Sequence, residues 1–121
     1  MSVKINPNQP VTITVDFGSP QVAAYKLWYK QALDVLFTTL GTGTDKGPAT
    51  PSSYPYSVAG LADSSTIAYH VALHGNANTP YKVTVTLAQA GTPLPGATLP
   101  LTGTTDGNGN AVVDGSIDLT T

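Results

Sequence analysis

The sequence predicts an all-β domain, a single antiparallel β-sandwich of seven to eight strands. Three observations carry this. First, Ser65 to Gln89 reads as two strands joined by a short turn: Ile67, Tyr69, Val71 and Leu73 recur at every second position, and so do Tyr81, Val83, Val85 and Leu87. Side chains alternate faces along a strand, so each segment has one dry and one wet face. Second, Gly, Asn, Asp and Pro recur between short apolar stretches, the punctuation of a many-stranded fold. Third, all acids are Asp and all bases are Lys, with no Glu and no Arg. The residues that usually clothe exposed helix faces are therefore scarce.

In chain order, residues 1–10 hold Pro7 and Pro10 and read as an N-terminal arm; the domain is expected over 11–121. Val11 to Phe17 alternates Val11, Ile13, Val15 and Phe17 with Thr12, Thr14 and Asp16, a strand rich in β-branched residues. Gly18-Ser19-Pro20 breaks it. Residues 19–41 admit two readings. As a helix, Ser19 would be N-cap and Pro20 the first helical residue, with Val22, Tyr25, Tyr29, Ala32, Leu33, Leu36 and Leu40 on one stripe and Gly41 as the stop. As two strands, Ala23, Tyr25, Leu27 and Tyr29 alternate with Ala24, Lys26, Trp28 and Lys30, and a turn near Gln31 to Asp34 leads to Val35–Leu40. The β context favours the strands, because a sandwich needs both.

Residues 41–57 read as a long irregular loop, since Pro48, Pro51, Pro55 and Gly41, Gly43, Gly47 interrupt any regular element. Tyr56 to Val58 is expected to add a short edge strand, and Gly60 to Ser64 a turn. After the hairpin, Ala90 to Gly96 is a turn and Ala97 to Thr104 a strand that Pro100 confines to an edge. Thr105 to Asn110 is a strong turn, and Ala111 to Leu119 the last strand. No internal repeat is visible.

The late strands, with Tyr69 and Tyr81-Lys82-Val83-Thr84-Val85, resemble bacterial immunoglobulin-like or fibronectin-like modules. Gly91-Thr92-Pro93-Leu94-Pro95-Gly96-Ala97-Thr98, followed by Thr105-Asp106-Gly107-Asn108-Gly109-Asn110-Ala111, is similar to the ending of many bacterial surface domains. The resemblance covers roughly the last third of the chain and lacks the Cys-Trp-Cys core of true immunoglobulin domains. It implies an immunoglobulin-like fold and carries no functional residues.

Composition excludes several partners. The chain of 121 residues is 10% charged, against about 25% for a typical domain, and its net charge is −2. No basic run offers the cationic footprint that nucleic acid requires. No apolar run reaches membrane-spanning length and no basic amphipathic helix is present, so no membrane partner is expected. Met1 to Pro7 lacks a hydrophobic region of the secretory type. The compartment stays open between the cytoplasm, export without such a signal, and removal of one. Cys is absent, so disulfides and thiolate metal sites are excluded.

Four groups of residues are candidates for chemistry. His70 and His74 share a strand face, but their Cα atoms would lie about 13 Å apart, too far for one metal. Asp106, Asn108 and Asn110, with Asp114 beyond, place oxygens at alternate positions like the start of a calcium loop, although Ile117 stands where an EF-hand needs Glu; an ordinary hairpin turn uses the same residues. Trp28, Tyr54 and Tyr56 could form a ligand-binding platform, because rings stack on apolar sugar faces while nearby Asn and Asp bond hydroxyls. Ser53 or Ser57 with His70 and Asp63 could compose a nucleophilic triad, yet no nucleophile-elbow motif is present.

The expectation is a non-catalytic module for assembly or protein–protein interaction, self-associating through thinly charged edge strands. The alternative is a carbohydrate-binding, lectin-like module, glycan-bound and calcium-assisted. A hydrolase using an Asp pair comes third. No other cofactor is expected.

Overall fold

The computed structural model describes residues 2–18, 21–45 and 53–121. Among them are nine strands and no helix: β1 (Ser2–Lys4), β2 (Val11–Phe17), β3 (Val22–Lys30), β4 (Thr38–Asp45), β5 (Ser53–Val58), β6 (Ser65–His74), β7 (Pro80–Gln89), β8 (Thr92–Thr104) and β9 (Asn110–Thr120). They form a five-stranded sheet, β1-β9-β6-β3-β4, and a four-stranded sheet, β5-β2-β7-β8. All pairs are antiparallel except β1 with β9. The arrangement is all-β and consistent with a sandwich.

The dry faces named by alternation meet in one core. Ile13, Val15, Val83, Val85 and Leu87 come from the four-stranded sheet, and Leu27, Ile67, Val71, Ile117 and Leu119 from the five-stranded one; all are fully buried. Burying each large aliphatic side chain contributes about 1.5–3 kcal/mol. Three tyrosines lie across glycines directly opposite them on the neighbouring strand: Tyr25 over Gly43, Tyr69 over Gly115 and Tyr81 over Gly103. A Cβ at any of these glycines would fall within 2.5 Å of the tyrosine hydroxyl. The ring covers the bare backbone that glycine leaves in a strand.

Several expectations are corrected. The strand reading of 19–41 is the one the fold adopts, although Ser19 and Pro20 lie outside the described residues. The second strand starts later than expected: β4 runs from Thr38 to Asp45, and Gln31 to Phe37 is a connection. The loop over 41–57 is far shorter, because Gly41 to Asp45 belong to β4 and Ser53 to Ser57 to β5. Glycines are tolerated in β4 because tyrosine rings cover them, and Pro55 is tolerated in β5 because that strand is a sheet edge. The prolines at 48 and 51 lie outside the described residues. The N-terminal arm contributes β1, which raises the strand count to nine. The turn before β8 shrinks to Ala90 and Gly91, both at positive φ, and the extra residues are absorbed in a register shift opposite Thr86–Ala88.

Candidate functional site

Tyr54 and Tyr56 do not form a loop platform. They alternate inward on β5 and join Phe17 and Tyr25 in an aromatic cluster with ring centroids 5.2–6.0 Å apart. This cluster closes the side of the molecule where the edge strands β4 and β5 lie. Two hydroxyl bonds tie the sheets together there: Tyr25 and Tyr56 share one at 2.6 Å, and Tyr54 donates to Asp45 Oδ1 at 2.8 Å. Burial and the Tyr56 hydroxyl push the Tyr25 phenol well above its ordinary range, and the Asp45 bond raises that of Tyr54.

Trp28 sits apart from them, half-buried on the outer face of the five-stranded sheet, with Lys26 Nζ 5.1 Å from its ring centroid. The same face carries both histidines. Cross-strand register sets His70 opposite Asp114 and His74 opposite Asn110. The His70 Nδ1 contacts Asp114 Oδ1, and the His74 Nδ1–H donates to Asn110 Oδ1 at 2.6 Å. Between these pairs the residues are small or aliphatic, Ala24, Ala72 and Val112. The missing bulk leaves a hollow of ≈ 460 Å³, lined by Val22, Ala24, Thr44, Asp45, Ala72, His74 and Asn110.

Three of the four oxygen residues considered for calcium, Asp106, Asn110 and Asp114, are committed elsewhere. The Asp106 carboxylate accepts the backbone N–H of Asn108 at 2.8 Å and of Asn110 at 2.9 Å. These bonds, Asn110 first, hold its carboxyl below the usual range. The Asn110 and Asp114 side chains hold the two histidines, four residues apart on one strand and so about 13 Å from one another. Among the described residues no group of three or more His, Asp or similar side chains is placed to hold a metal ion. The triad residues are also separated. Ser53 and Ser57 alternate with the inward Tyr54 and Tyr56 and so face out from the four-stranded sheet, where Ser57 bonds Thr12 at 3.0 Å; His70 faces out from the other sheet.

The feature that sequence reasoning missed is the β3–β4 connection. Leu33, Val35 and Leu36 are 96%, 92% and 79% exposed, and Phe37 follows at 44%. The two sequence readings place Leu33 and Leu36 on a helical stripe, or Gln31 to Asp34 in a turn and Val35 to Leu40 in a strand. In the run Leu33-Asp34-Val35-Leu36-Phe37 the alternation of Leu33, Val35 and Phe37 is broken at Leu36, the one signal in the sequence against a half-buried strand. The base of this loop is anchored. Gln31 donates to the Gly60 carbonyl at 2.7 Å and accepts from Ala62 N–H and Ser65 Oγ. Asp34 accepts the Gln31 N–H at 2.9 Å, and Lys30 Nζ lies 5.5 Å from the Phe37 ring centroid.

Two solved structures are similar to this chain. One is the crystal structure of a domain of unknown function, DUF4425, from Bacteroides vulgatus, with a TM-score of 0.58, 13% identity, and coverage of 97% of this chain and 99% of that one. The other is a DUF4425 family protein from Bacteroides ovatus, with a TM-score of 0.56, 14% identity, and coverage of 92% and 95%. No protein-family model and no curated protein matches the chain. At these identities the likeness shows the fold alone.

Proposed function

We propose that this domain is a non-catalytic assembly module that binds protein through its five-stranded sheet. The observation that carries the reading is the loop Gln31 to Phe37, which holds Leu33, Val35 and Leu36 in water on an anchored turn. Contiguous exposed apolar groups mark interaction sites, and an anchored base lowers the ordering cost of binding. The same reading takes the sandwich as immunoglobulin-like. Its support is the set of neighbours distant in sequence, β6 beside β3 and β2 beside β7, crossovers of the kind such sandwiches use. Sedimentation velocity over a rising concentration series tests it. A mass above the 12.4 kDa monomer is expected, falling back when Leu33, Val35 and Leu36 are changed to Ser together. A strict monomer at high concentration sinks the reading for self-association.

Carbohydrate binding is the second reading. Trp28 favours it, since the ring lies half-exposed on the face that holds the hollow and Asn110. A glycan array run with calcium and then with EDTA tests it. Trp28→Ala should abolish a hit without unfolding the protein, and retained binding removes Trp28 from the site.

A further inference from the structure

We propose that the chain forms a two-fold dimer by pairing β4 with β4 of a second copy, each copy seating its apolar loop in the hollow of the other. This rests on the assembly reading above. The loop is an uncovered apolar projection, and the hollow is a recess with Ala24 and Ala72 among its lining. Both belong to the same sheet edge. The loop enters β4 at Thr38, while Thr44 and Asp45, at the far end of β4, line the hollow. From Val22 at the hollow to Lys30 at the loop, β3 spans about 26 Å, so the loop cannot fill its own hollow.

Antiparallel pairing of two β4 strands reverses the second copy. The Thr38 end of one then lies beside the Asp45 end of the other, and each loop arrives at the partner's recess. The contact occurs twice and closes on itself, as a two-fold interface does. Among the described residues no strand pairs with the outer edge of β4, and β4 contains no proline to block one.

The experiment uses the full chain and exploits its lack of cysteine. Native mass spectrometry of the wild type should give a species at twice 12.4 kDa and no open series. Thr42→Cys, near the middle of β4, should form a disulfide-linked dimer on oxidation, whereas Thr104→Cys, at the end of β8, should not. L33S/V35S/L36S and A24Q/A72Q should each raise the dissociation constant by about tenfold or more. All these side chains face outward, so unchanged melting curves are the control for folding. An open ladder of species, or no cross-link at Thr42, overturns the two-fold pairing. A dimer lost in the loop variant but kept in A24Q/A72Q overturns the seat in the hollow and leaves the assembly reading standing. A monomer throughout overturns both.

Discussion

The two sheets share a core and differ in everything outside it. Both inner faces follow the same alternation of β-branched and aromatic residues. The edges of the four-stranded sheet, β5 and β8, carry Pro55 and Pro93, Pro95 and Pro100. A proline nitrogen cannot donate to an incoming strand, so these edges are guarded. The outer face of that sheet is a lawn of hydroxyls, including Thr12, Thr14, Thr84, Thr86 and Thr102. The five-stranded sheet has no proline in β4. Its other edge strand, β1, covers only the last three residues of β9's ladder, leaving Asn110 to Ile117 paired on one side among the described residues. Its outer face holds Trp28, two histidines, a hollow and the exposed Val22 and Val112. The difference teaches that two sheets with equivalent cores can diverge entirely in their edges and outer faces: prolines guard both edges of one, and β4 of the other carries none.

The comparison requires first that the two cores be equivalent. Ile67→Ala in β6 and Leu87→Ala in β7 each remove a fully buried aliphatic side chain. Each should cost about 2–5 kcal/mol in a denaturant titration. A cost confined to one sheet would mean that the other is an appendage, and the contrast in outer faces would lose its meaning. The second requirement concerns the guards. With the loop silenced by L33S/V35S/L36S, replacing Pro93, Pro95 and Pro100 by Thr should let β8 pair with other chains. Association should strengthen on the order of tenfold, read by light scattering. Unchanged scattering would show that the prolines guard nothing.

The third prediction concerns the aromatic seam between β4 and β5. The phenols of Tyr25 and Tyr54 in this seam, and apart from it the buried Tyr69 over Gly115, are raised above their ordinary value of 10. The folded protein therefore favours their neutral form. Their contribution is complete below pH 10 and is lost as the pH rises beyond it, because the unfolded chain ionises there and the folded chain resists. Stability measured from pH 9 to 12 should fall, and Tyr54→Phe should flatten the fall. A curve that is level across this range contradicts the seam.

Most of the fold was legible because alternation is a direct imprint of the pleat. Val11–Phe17, Ile67–Leu73 and Tyr81–Leu87 alternate, and all three are strands with the expected inward set. What failed was local chemistry overruled by tertiary context. Gly41 and Gly43 look like loop residues until Tyr56 and Tyr25 are seen covering them, and those rings come from distant parts of the chain. Tyr54 and Tyr56 looked like a platform because Pro55 suggested a loop. In β5 the proline takes an outward edge position, and alternation then turns both tyrosines inward. The apolar loop escapes the sequence reading for the opposite reason: large apolar residues are buried in most domains, and Leu33, Val35 and Leu36 are exposed here.

The smallest effect expected lies in the Asp106 turn, which joins the guarded β8 to the open β9. Its carboxylate holds two backbone N–H groups and its carboxyl is shifted below the ordinary value of 3.8. A group depressed in the fold contributes stability above its unfolded value and loses that contribution as the pH falls through the folded one. Acid titration should therefore show a modest loss of stability that starts near pH 4 and deepens below it. Asp106→Asn keeps an acceptor for the turn but removes the titrating charge, so its stability at neutral pH should drop slightly and its acid slope should shrink. If calcium raises the melting temperature of the wild type and not of Asp106→Asn, the carboxylate is available to a cation and the turn is more than a hairpin. If calcium moves neither, the bonds to Asn108 and Asn110 account for Asp106 entirely, and the turn serves to deliver β9, with its half-paired edge, to the side of the molecule that is open.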